Sequence, residues 1–178
     1  MLTFLTGGAR SGKSSLAVRM AAASGLPVVF LATARPEGDD EWHTRLGRHR
    51  AERPQEWTTV EEPVELAAAV AAADPGAALI VDCLTLWVAN VLDAGLDDGD
   101  VEAAATKAAA AAAARPAPTF VVSNEVGSSI VPVDPGVRRY RDVLGRVNAV
   151  VAEAADRAYL TVAGRVLPLL GPDDVVGG

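Results

Sequence analysis

The sequence predicts an α/β fold of three layers, in which a mostly parallel sheet is covered by helices on both faces. Short apolar segments alternate with longer helical segments along the chain, and this order is typical of parallel sheets. A glycine-rich loop joins the first apolar segment to the first helical one. Polar residues that can carry chemistry stand at the ends of the apolar segments, which is where such sheets bind ligands.

The strands are predicted from short apolar runs that end in glycine or polar residues: 2–6, 28–33, 57–60, 77–81, 119–123 and 159–163. The helices are predicted from segments bounded by proline, glycine or a capping aspartate: 13–24, 39 or 40 to about 53, 63–74, 84–92, 101–115 and 137–157. We expect Pro63 in the first turn of its helix. The stretches 93–100 and 127–136 are predicted loops.

Length and composition favour one domain over residues 1–170, followed by a flexible tail at 171–178. The net charge of −7 argues against a nucleic-acid surface, because phosphate backbones require clustered Lys and Arg. Cys83 is the only cysteine, which excludes an intrachain disulfide and suits a reducing compartment. No apolar run approaches the ~20 residues of a membrane helix. We expect a cytoplasmic protein without a membrane span.

The loop after the first strand matches the phosphate-binding pattern G-x-x-x-x-G-K-[ST] at every fixed position. It consists of Gly7, Gly8, Ala9, Arg10, Ser11, Gly12, Lys13 and Ser14. Glycines let several backbone N–H groups point at one anion, and the following helix adds the positive end of its dipole. Lys13 is expected to reach the outer phosphates, and the Ser14 hydroxyl to bind Mg²⁺. The motif therefore predicts a magnesium–nucleotide site.

Asp82 ends the apolar run at 77–81. A carboxylate at this point suits a Walker B position, which holds magnesium directly or through water. The alternative is an N-cap for the helix that follows. The neighbouring Cys83 is interpreted as a small buried hydrophobic residue.

Four arginines surround His49 within nine residues of an acidic chain: Arg45, Arg48, Arg50 and Arg53. In a helix Arg45, His49 and Arg53 would share one face. They could form a solvated face paired with the acidic residues at 39–41, or they could bind phosphate through guanidinium forks. His49 could then be a nucleophile, because nearby cations keep imidazole neutral. His43 is interpreted as a surface residue.

Several segments together resemble one family, the bifunctional adenosylcobinamide kinase/adenosylcobinamide-phosphate guanylyltransferases of cobalamin biosynthesis. The resemblance extends from residue 2 to about residue 169. Besides the glycine loop, its motifs lie at residues 32–34, 40–57, 82–87, 123–132 and 138–148.

The resemblance implies two reactions, phosphorylation of adenosylcobinamide by ATP or GTP and then transfer of GMP from GTP through a guanylyl-histidine at His49. It also implies a RecA-like sheet and a homotrimer. The nucleotide contacts that it implies beyond the glycine loop are Ala32, Thr33, Ala34, Arg50, Ala51, Glu52, Arg53, one of Glu61 and Glu62, and Asp82.

Other residues keep two interpretations each. Glu125 could deprotonate the substrate hydroxyl, or its carboxylate could accept backbone N–H groups of its own loop. Arg138, Arg141 and Arg146 could contact phosphates or a neighbouring subunit. Two other functions also fit the glycine loop, a simple small-molecule kinase that leaves His49 idle and a non-catalytic GTP-binding module. The second lacks an Asn-Lys-x-Asp guanine signal.

Overall fold

A computed structural model describes residues 1–36, 47 and 53–176 of the chain. Its strands are β1 (Leu2–Gly7), β2 (Val28–Ala32), β3 (Thr58–Glu61), β4 (Ala78–Asp82), β5 (Thr119–Val122), β6 (Arg157–Val162) and β7 (Arg165–Leu169). Its helices are α1 (Lys13–Ala23), α2 (Leu66–Ala72), α3 (Leu84–Asp93), α4 (Asp98–Ala113), α5 (Pro135–Ala154) and α6 (Pro172–Val176). The predicted helix at 39/40–53 lies largely outside the described residues.

The strands form one sheet in the order β3-β2-β4-β5-β1-β6-β7. All neighbouring pairs are parallel except β6 and β7, which are antiparallel. Because parallel strands end at the same edge, the loops after β1, β2, β4 and β5 gather on one side of the molecule. The predicted mostly parallel sheet is confirmed.

Alternating side chains of the central strands enter two separate cores. Leu5, Phe30 and Ile80 face the side covered by α1, whereas Phe4, Leu31 and Leu79 face the side covered by α2, α3, α4 and α5. Both sets are almost fully buried, as expected for a sheet covered on both faces. Helices therefore lie on both sides, and the three-layer prediction is confirmed.

Three helix starts differ from those predicted because local hydrogen bonds override the apolar pattern. Pro63 precedes α2 and is not in it, since the Glu62 carboxylate accepts the N–H groups of Val64 and Glu65 there. Helix α4 begins earlier than expected, where Asp97 accepts the Asp100 N–H. Asp134 similarly accepts the Val137 N–H and starts α5 at Pro135.

The C-terminal part of the sheet was only partly predicted. Helix α5 ends at Ala154 and Arg157 already belongs to β6, so the predicted helix to residue 157 was too long. The segment predicted as the last strand is followed by a further strand, β7, which pairs back on β6 through a turn at Ala163 and Gly164. The two turn residues have φ of 48° and 73°, which matches the backbone of a tight hairpin turn.

Candidate active site

The phosphate loop lies between β1 and α1, as the motif predicts. Gly7 has a φ of 148° and Gly12 a φ of 99°, a region that side-chain-bearing residues rarely adopt. The Lys13 ammonium donates to the Gly8 carbonyl at 3.0 Å, and the Ser11 N–H points to the same carbonyl at 3.3 Å. Both donors bring the later part of the loop back towards Gly8. The loop is therefore curled, and a curled backbone of this kind suits an anion.

Helix α1 starts directly from this loop. Lys13 is its first residue, and the Leu16 N–H donates to the Gly12 carbonyl at 2.9 Å. No side chain caps the helix at Gly12. The positive end of the helix therefore opens onto the loop, which is the arrangement that binds phosphate in this class of motif. Ser14, in the first turn, is half-buried.

Asp82 is the last residue of β4 and is half-buried. Cys83, not Asp82, occupies the N-cap position of α3, so the helix-cap interpretation of Asp82 does not hold. One strand, β5, separates β4 from β1. Neighbouring strands lie roughly 4.8 Å apart, which brings the Asp82 backbone within about 10 Å of β1. Asp82 thus ends its strand on the same edge as the phosphate loop.

The Cys83 side chain is half-buried beside this aspartate. Burial, and to a lesser extent the negative charge of Asp82, raise the pKa of its thiol from 9.0 to about 11. At neutral pH the thiol therefore stays protonated, and it offers no thiolate to a metal or to a nucleotide. This agrees with the interpretation of Cys83 as a packing residue.

Asn90 on α3 connects two loops at the same edge of the sheet. Its side-chain amide donates to the Thr33 carbonyl at 2.7 Å and to the Pro63 carbonyl at 3.0 Å. The Thr33 hydroxyl donates to the Cys83 carbonyl at 2.7 Å, and the Trp87 indole donates to the Val64 carbonyl at 2.8 Å. Helix α3 thereby fixes the loops after β2 and β3, including the predicted nucleotide segment 32–34.

An open cleft of ≈ 550 Å³ lies beside β3 and includes Arg53, Trp57 and Glu61 in its lining. The Arg53 guanidinium carbon lies 3.5 Å from the centroid of the Phe30 ring, a cation–π contact. Glu62 is occupied in its own loop, where its carboxylate accepts two backbone N–H groups at 2.9 Å each. Glu61 lines this cleft, whereas Glu62 is held in its own loop, and the choice between them as a nucleotide contact stays a prediction.

Glu125 follows β5 and touches the phosphate loop through its backbone, where its N–H donates to the Gly7 carbonyl at 3.0 Å. One oxygen of its carboxylate, Oε1, accepts the N–H of Gly127 at 2.6 Å and that of Ser128 at 3.0 Å. This is the structural one of the two arrangements that the sequence allowed. A role as general base remains a prediction.

The three arginines considered in the sequence, Arg138, Arg141 and Arg146, lie on α5 and bind other groups of the same chain. Arg138 donates to the carbonyls of Pro132 and Val133, and Arg141 pairs with Asp142 at 2.8 Å. Arg146 pairs with Glu102 and, at 2.8 Å, with Asp98. Arg141 and Arg146 line a second cavity of ≈ 530 Å³. Their contacts fix the loop 127–133 and the α4–α5 surface, and a role toward phosphate or another subunit stays a prediction.

Several predicted residues fall outside the described ranges: His43, Arg45, Arg48, His49, Arg50, Ala51 and Glu52. Conversely, sequence reasoning missed Asn90, Asn148 and Thr161, whose side chains hold the loops of the site from distant positions. Asn148 accepts the Ser123 hydroxyl at 2.6 Å and donates to the Asn124 carbonyl at 3.0 Å. A polar residue on an otherwise apolar helix face was the one sequence signal that could have identified Asn90 and Asn148.

Within the described residues, no helix combines the length and apolar character that a membrane crossing requires.

The chain matches the sequence profile of a family described as cobinamide kinase / cobinamide phosphate guanyltransferase over residues 3–169. It is 45% identical over 175 residues to the bifunctional adenosylcobalamin biosynthesis protein CobP of Pseudomonas aeruginosa, and the alignment covers 96% of this chain and 98% of that protein. It is 37% identical over 177 residues to the bifunctional adenosylcobalamin biosynthesis protein CobU of Escherichia coli, with 92% and 97% covered.

Solved structures of lower similarity share the fold. An ATPase from a bacterial type III secretion system aligns with a TM-score of 0.57 at 17% identity, over 89% of this chain, which spans 50% of that ATPase. The RadB recombinase aligns with a TM-score of 0.51 at 16% identity, over 89% of this chain and 73% of its own. These likenesses concern the fold alone, and they confirm the predicted RecA-like P-loop NTPase architecture.

Proposed function

Because the chain belongs to the cobinamide kinase / cobinamide phosphate guanyltransferase family, we propose that it phosphorylates adenosylcobinamide and then transfers GMP to the phosphate so formed. It is an enzyme with a kinase and a guanylyltransferase activity. The family match across residues 3–169 carries this proposal, since it includes both the phosphate loop and the segment around His49. The products are adenosylcobinamide phosphate and then adenosylcobinamide-GDP.

In the kinase step, the hydroxyl oxygen of adenosylcobinamide attacks the γ-phosphorus of ATP or GTP, and the nucleoside diphosphate leaves. The phosphate loop supports this step, because its backbone N–H groups and the start of α1 neutralise charge on the phosphates. Lys13 lies in the curl of the loop and would move from the Gly8 carbonyl to the outer phosphates. Its role is to stabilise the charge of the transferring group.

The residues present fit magnesium. Ser14 and Asp82 supply a hydroxyl and a carboxylate on the same edge of the sheet, and Mg²⁺ prefers such oxygen ligands together with waters and phosphates. The neighbouring thiol of Cys83, with a pKa of about 11, stays protonated and does not compete. We therefore assign Ser14 and Asp82 as the residues that would hold Mg²⁺, which would neutralise phosphate charge when bound.

In the guanylyl step, a ring nitrogen of His49 attacks the α-phosphorus of GTP and pyrophosphate leaves. A phosphate oxygen of adenosylcobinamide phosphate then attacks the same phosphorus and releases the histidine. The four arginines around His49 suit this chemistry, because cations stabilise departing pyrophosphate and keep the imidazole neutral. The cleft lined by Arg53 and Glu61 adjoins the end of this segment and is a candidate site for the nucleotide.

The remaining assignments follow the same family. We propose that residues 32–34 and 50–53 contact the nucleotide, with Glu61 as the acidic contact. We also propose that the protein acts in the cytoplasm as a homotrimer, and we expect light scattering to give about three times the 18.3 kDa mass of the chain. A monomer at micromolar concentration would contradict the trimer.

The decisive experiment is incubation with GTP labelled at the α-phosphate. The wild type is expected to acquire a covalent label that survives alkali and is lost in acid, as a phosphorus–nitrogen bond should be. His49→Ala is expected to lose both the label and guanylyl transfer, while phosphorylation of adenosylcobinamide persists at least in part. His43→Ala, six residues away, is the matched control and should label normally.

Four other results would change the assignment. Label on a residue other than His49, or normal guanylyl transfer by His49→Ala, would refute the histidine intermediate. Phosphorylation without any label in the wild type would indicate the simple kinase. Loss of both activities in a folded His49→Ala variant would mean that the two reactions share one nucleotide site.

A further inference from the structure

We propose that Thr161 is a positioning residue that holds the phosphate loop in its binding shape before a nucleotide arrives. The proposal rests on the proposed function only in taking this loop as the nucleotide site. Thr161 belongs to β6 and lies directly beside Gly7 in the sheet. It is far from the loop in sequence, and its side chain is fully enclosed, with 1% of its surface exposed.

The Thr161 hydroxyl joins two parts of the loop region. It donates to the Thr6 carbonyl, at 2.8 Å, and lies 3.1 Å from the Ser11 hydroxyl. A threonine hydroxyl has a single hydrogen. Since that hydrogen is given to Thr6, the Ser11 hydroxyl must be the donor to Thr161. The last residue before the loop and the middle of the loop are thus connected through one oxygen atom.

The same hairpin also holds the backbone of Ser11. The Gly164 N–H donates to the Ser11 carbonyl at 3.0 Å, and this contact comes from the tight turn that joins β6 to β7. Ser11 is therefore held at both its side chain and its carbonyl by residues of one hairpin. Its side chain is buried and contacts β6 through Thr161.

β6 approaches the start of the phosphate loop so closely that position 7 requires glycine. A Cβ at Gly7 would lie 2.2 Å from the Thr161 carbonyl oxygen and 2.8 Å from its hydroxyl oxygen. Gly7 also has a φ of 148°. The first glycine of the motif thus permits the close contact with β6 as well as the turn of the loop.

A loop that is already curled loses less conformational entropy when it binds phosphate. Removal of the Thr161 hydroxyl leaves the Ser11 hydroxyl and the Thr6 carbonyl without this partner, and the loop can then open. A buried hydrogen bond between neutral groups changes an equilibrium by about five- to tenfold. We expect a loss of this size in nucleotide affinity.

The test compares dissociation constants for Mg·ATP measured by calorimetric titration, together with kcat and KM for the kinase step. Thr161→Val, which removes the hydroxyl at nearly constant volume, should weaken binding about five- to tenfold and raise KM while kcat changes less than about twofold. Thr161→Ser should bind like the wild type. Ser11→Ala breaks the same bond from the loop side, so it should mimic Thr161→Val, and the double variant should be no weaker than either one.

Thr119→Val is the matched control. Thr119 lies on β5, is 0% exposed, and its hydroxyl has no hydrogen-bond partner among the residues that the structure describes. It should leave affinity unchanged. Wild-type affinity in both Thr161→Val and Ser11→Ala, or an equal loss in Thr119→Val, would overturn the proposal. A wild type that binds no Mg·ATP would refute the nucleotide site itself, and with it the proposed function.

Discussion

Replacement of Asn90 by leucine tests whether helix α3 organises the nucleotide loops. Asn90 is 8% exposed, and its amide donates to the carbonyls of Thr33 and Pro63 at 2.7 and 3.0 Å. Leucine has a similar volume but no donor, so both carbonyls lose this partner. Two neutral hydrogen bonds at about 1 kcal/mol each, with the cost of poorly solvated carbonyls, predict a loss of about 2–3 kcal/mol of unfolding free energy.

The chain offers a matched control on the opposite side of the site. Asn148 is 9% exposed and also makes two hydrogen bonds, one with the Ser123 hydroxyl and one with the Asn124 carbonyl. Asn148→Leu should therefore lose a similar amount of stability, measured for both variants by urea titration. It acts on the loop after β5, whereas Asn90→Leu acts on the loops after β2 and β3.

The functional readout separates the two variants. If the loops held by Asn90 contact GTP, Asn90→Leu should raise the KM for guanylylation about tenfold, since small misplacements of binding groups are costly. Asn148→Leu should change that KM less than about twofold. A loss of less than about 1 kcal/mol of unfolding free energy in Asn90→Leu would refute the role of Asn90. Equal impairment of guanylylation in both variants would refute it as well.

Further perturbations have defined outcomes. Lys13→Ala should abolish tight Mg·nucleotide binding in calorimetry while the fold is retained; unchanged affinity would exclude the phosphate loop. The Arg115 guanidinium donates to four carbonyls at 2.7–3.4 Å. Arg115→Leu should therefore lower the unfolding free energy by about 3 kcal/mol, and Arg115→Lys should lower it less. The folded Cys83 thiol keeps its proton up to a pKa of about 11, against 9.0 ordinarily; because the unfolded thiol ionises first, stability should fall between pH 9 and 11. Between pH 9 and 11 the wild type should lose up to about 2–3 kcal/mol more unfolding free energy than Cys83→Ala. If unfolding free energy falls equally with pH in both proteins, the pKa of the folded thiol is not raised.

Local signals were sufficient for most of the fold. The apolar runs that became β1, β2, β4 and β5 are flanked by glycine or polar residues, and each strand lies within a residue or two of its predicted position. Strand β7 was missed because its side chains are all exposed and it contains Pro168, which is tolerated only at a sheet edge. Its pairing with β6 depends on the turn at residues 163–164.

Candidate site residues could be predicted where they form a motif of residues that are adjacent in the sequence. The glycine loop and the position of Asp82 at the end of β4 were predicted in this way, and Gly7 and Gly12 of the loop have positive φ values. Glu61 and Glu62 were indistinguishable in sequence, because only the fold reveals that Glu62 accepts the N–H groups of its own loop. Thr161 could not be found, since its contact with Ser11 joins positions separated by 150 residues.

The strand order has a consequence for how the protein is made. β1 is synthesised before the other described strands of this sheet, yet its two neighbours are β5 and β6. Until β5 (Thr119–Val122) has been synthesised, both edges of β1 lack a native partner and its apolar side chains lack part of their native packing. The contacts of Thr161 and Gly164 with Ser11 can form only after the β6–β7 hairpin has been synthesised. The phosphate loop, although made early, is therefore held in its final shape only late in synthesis.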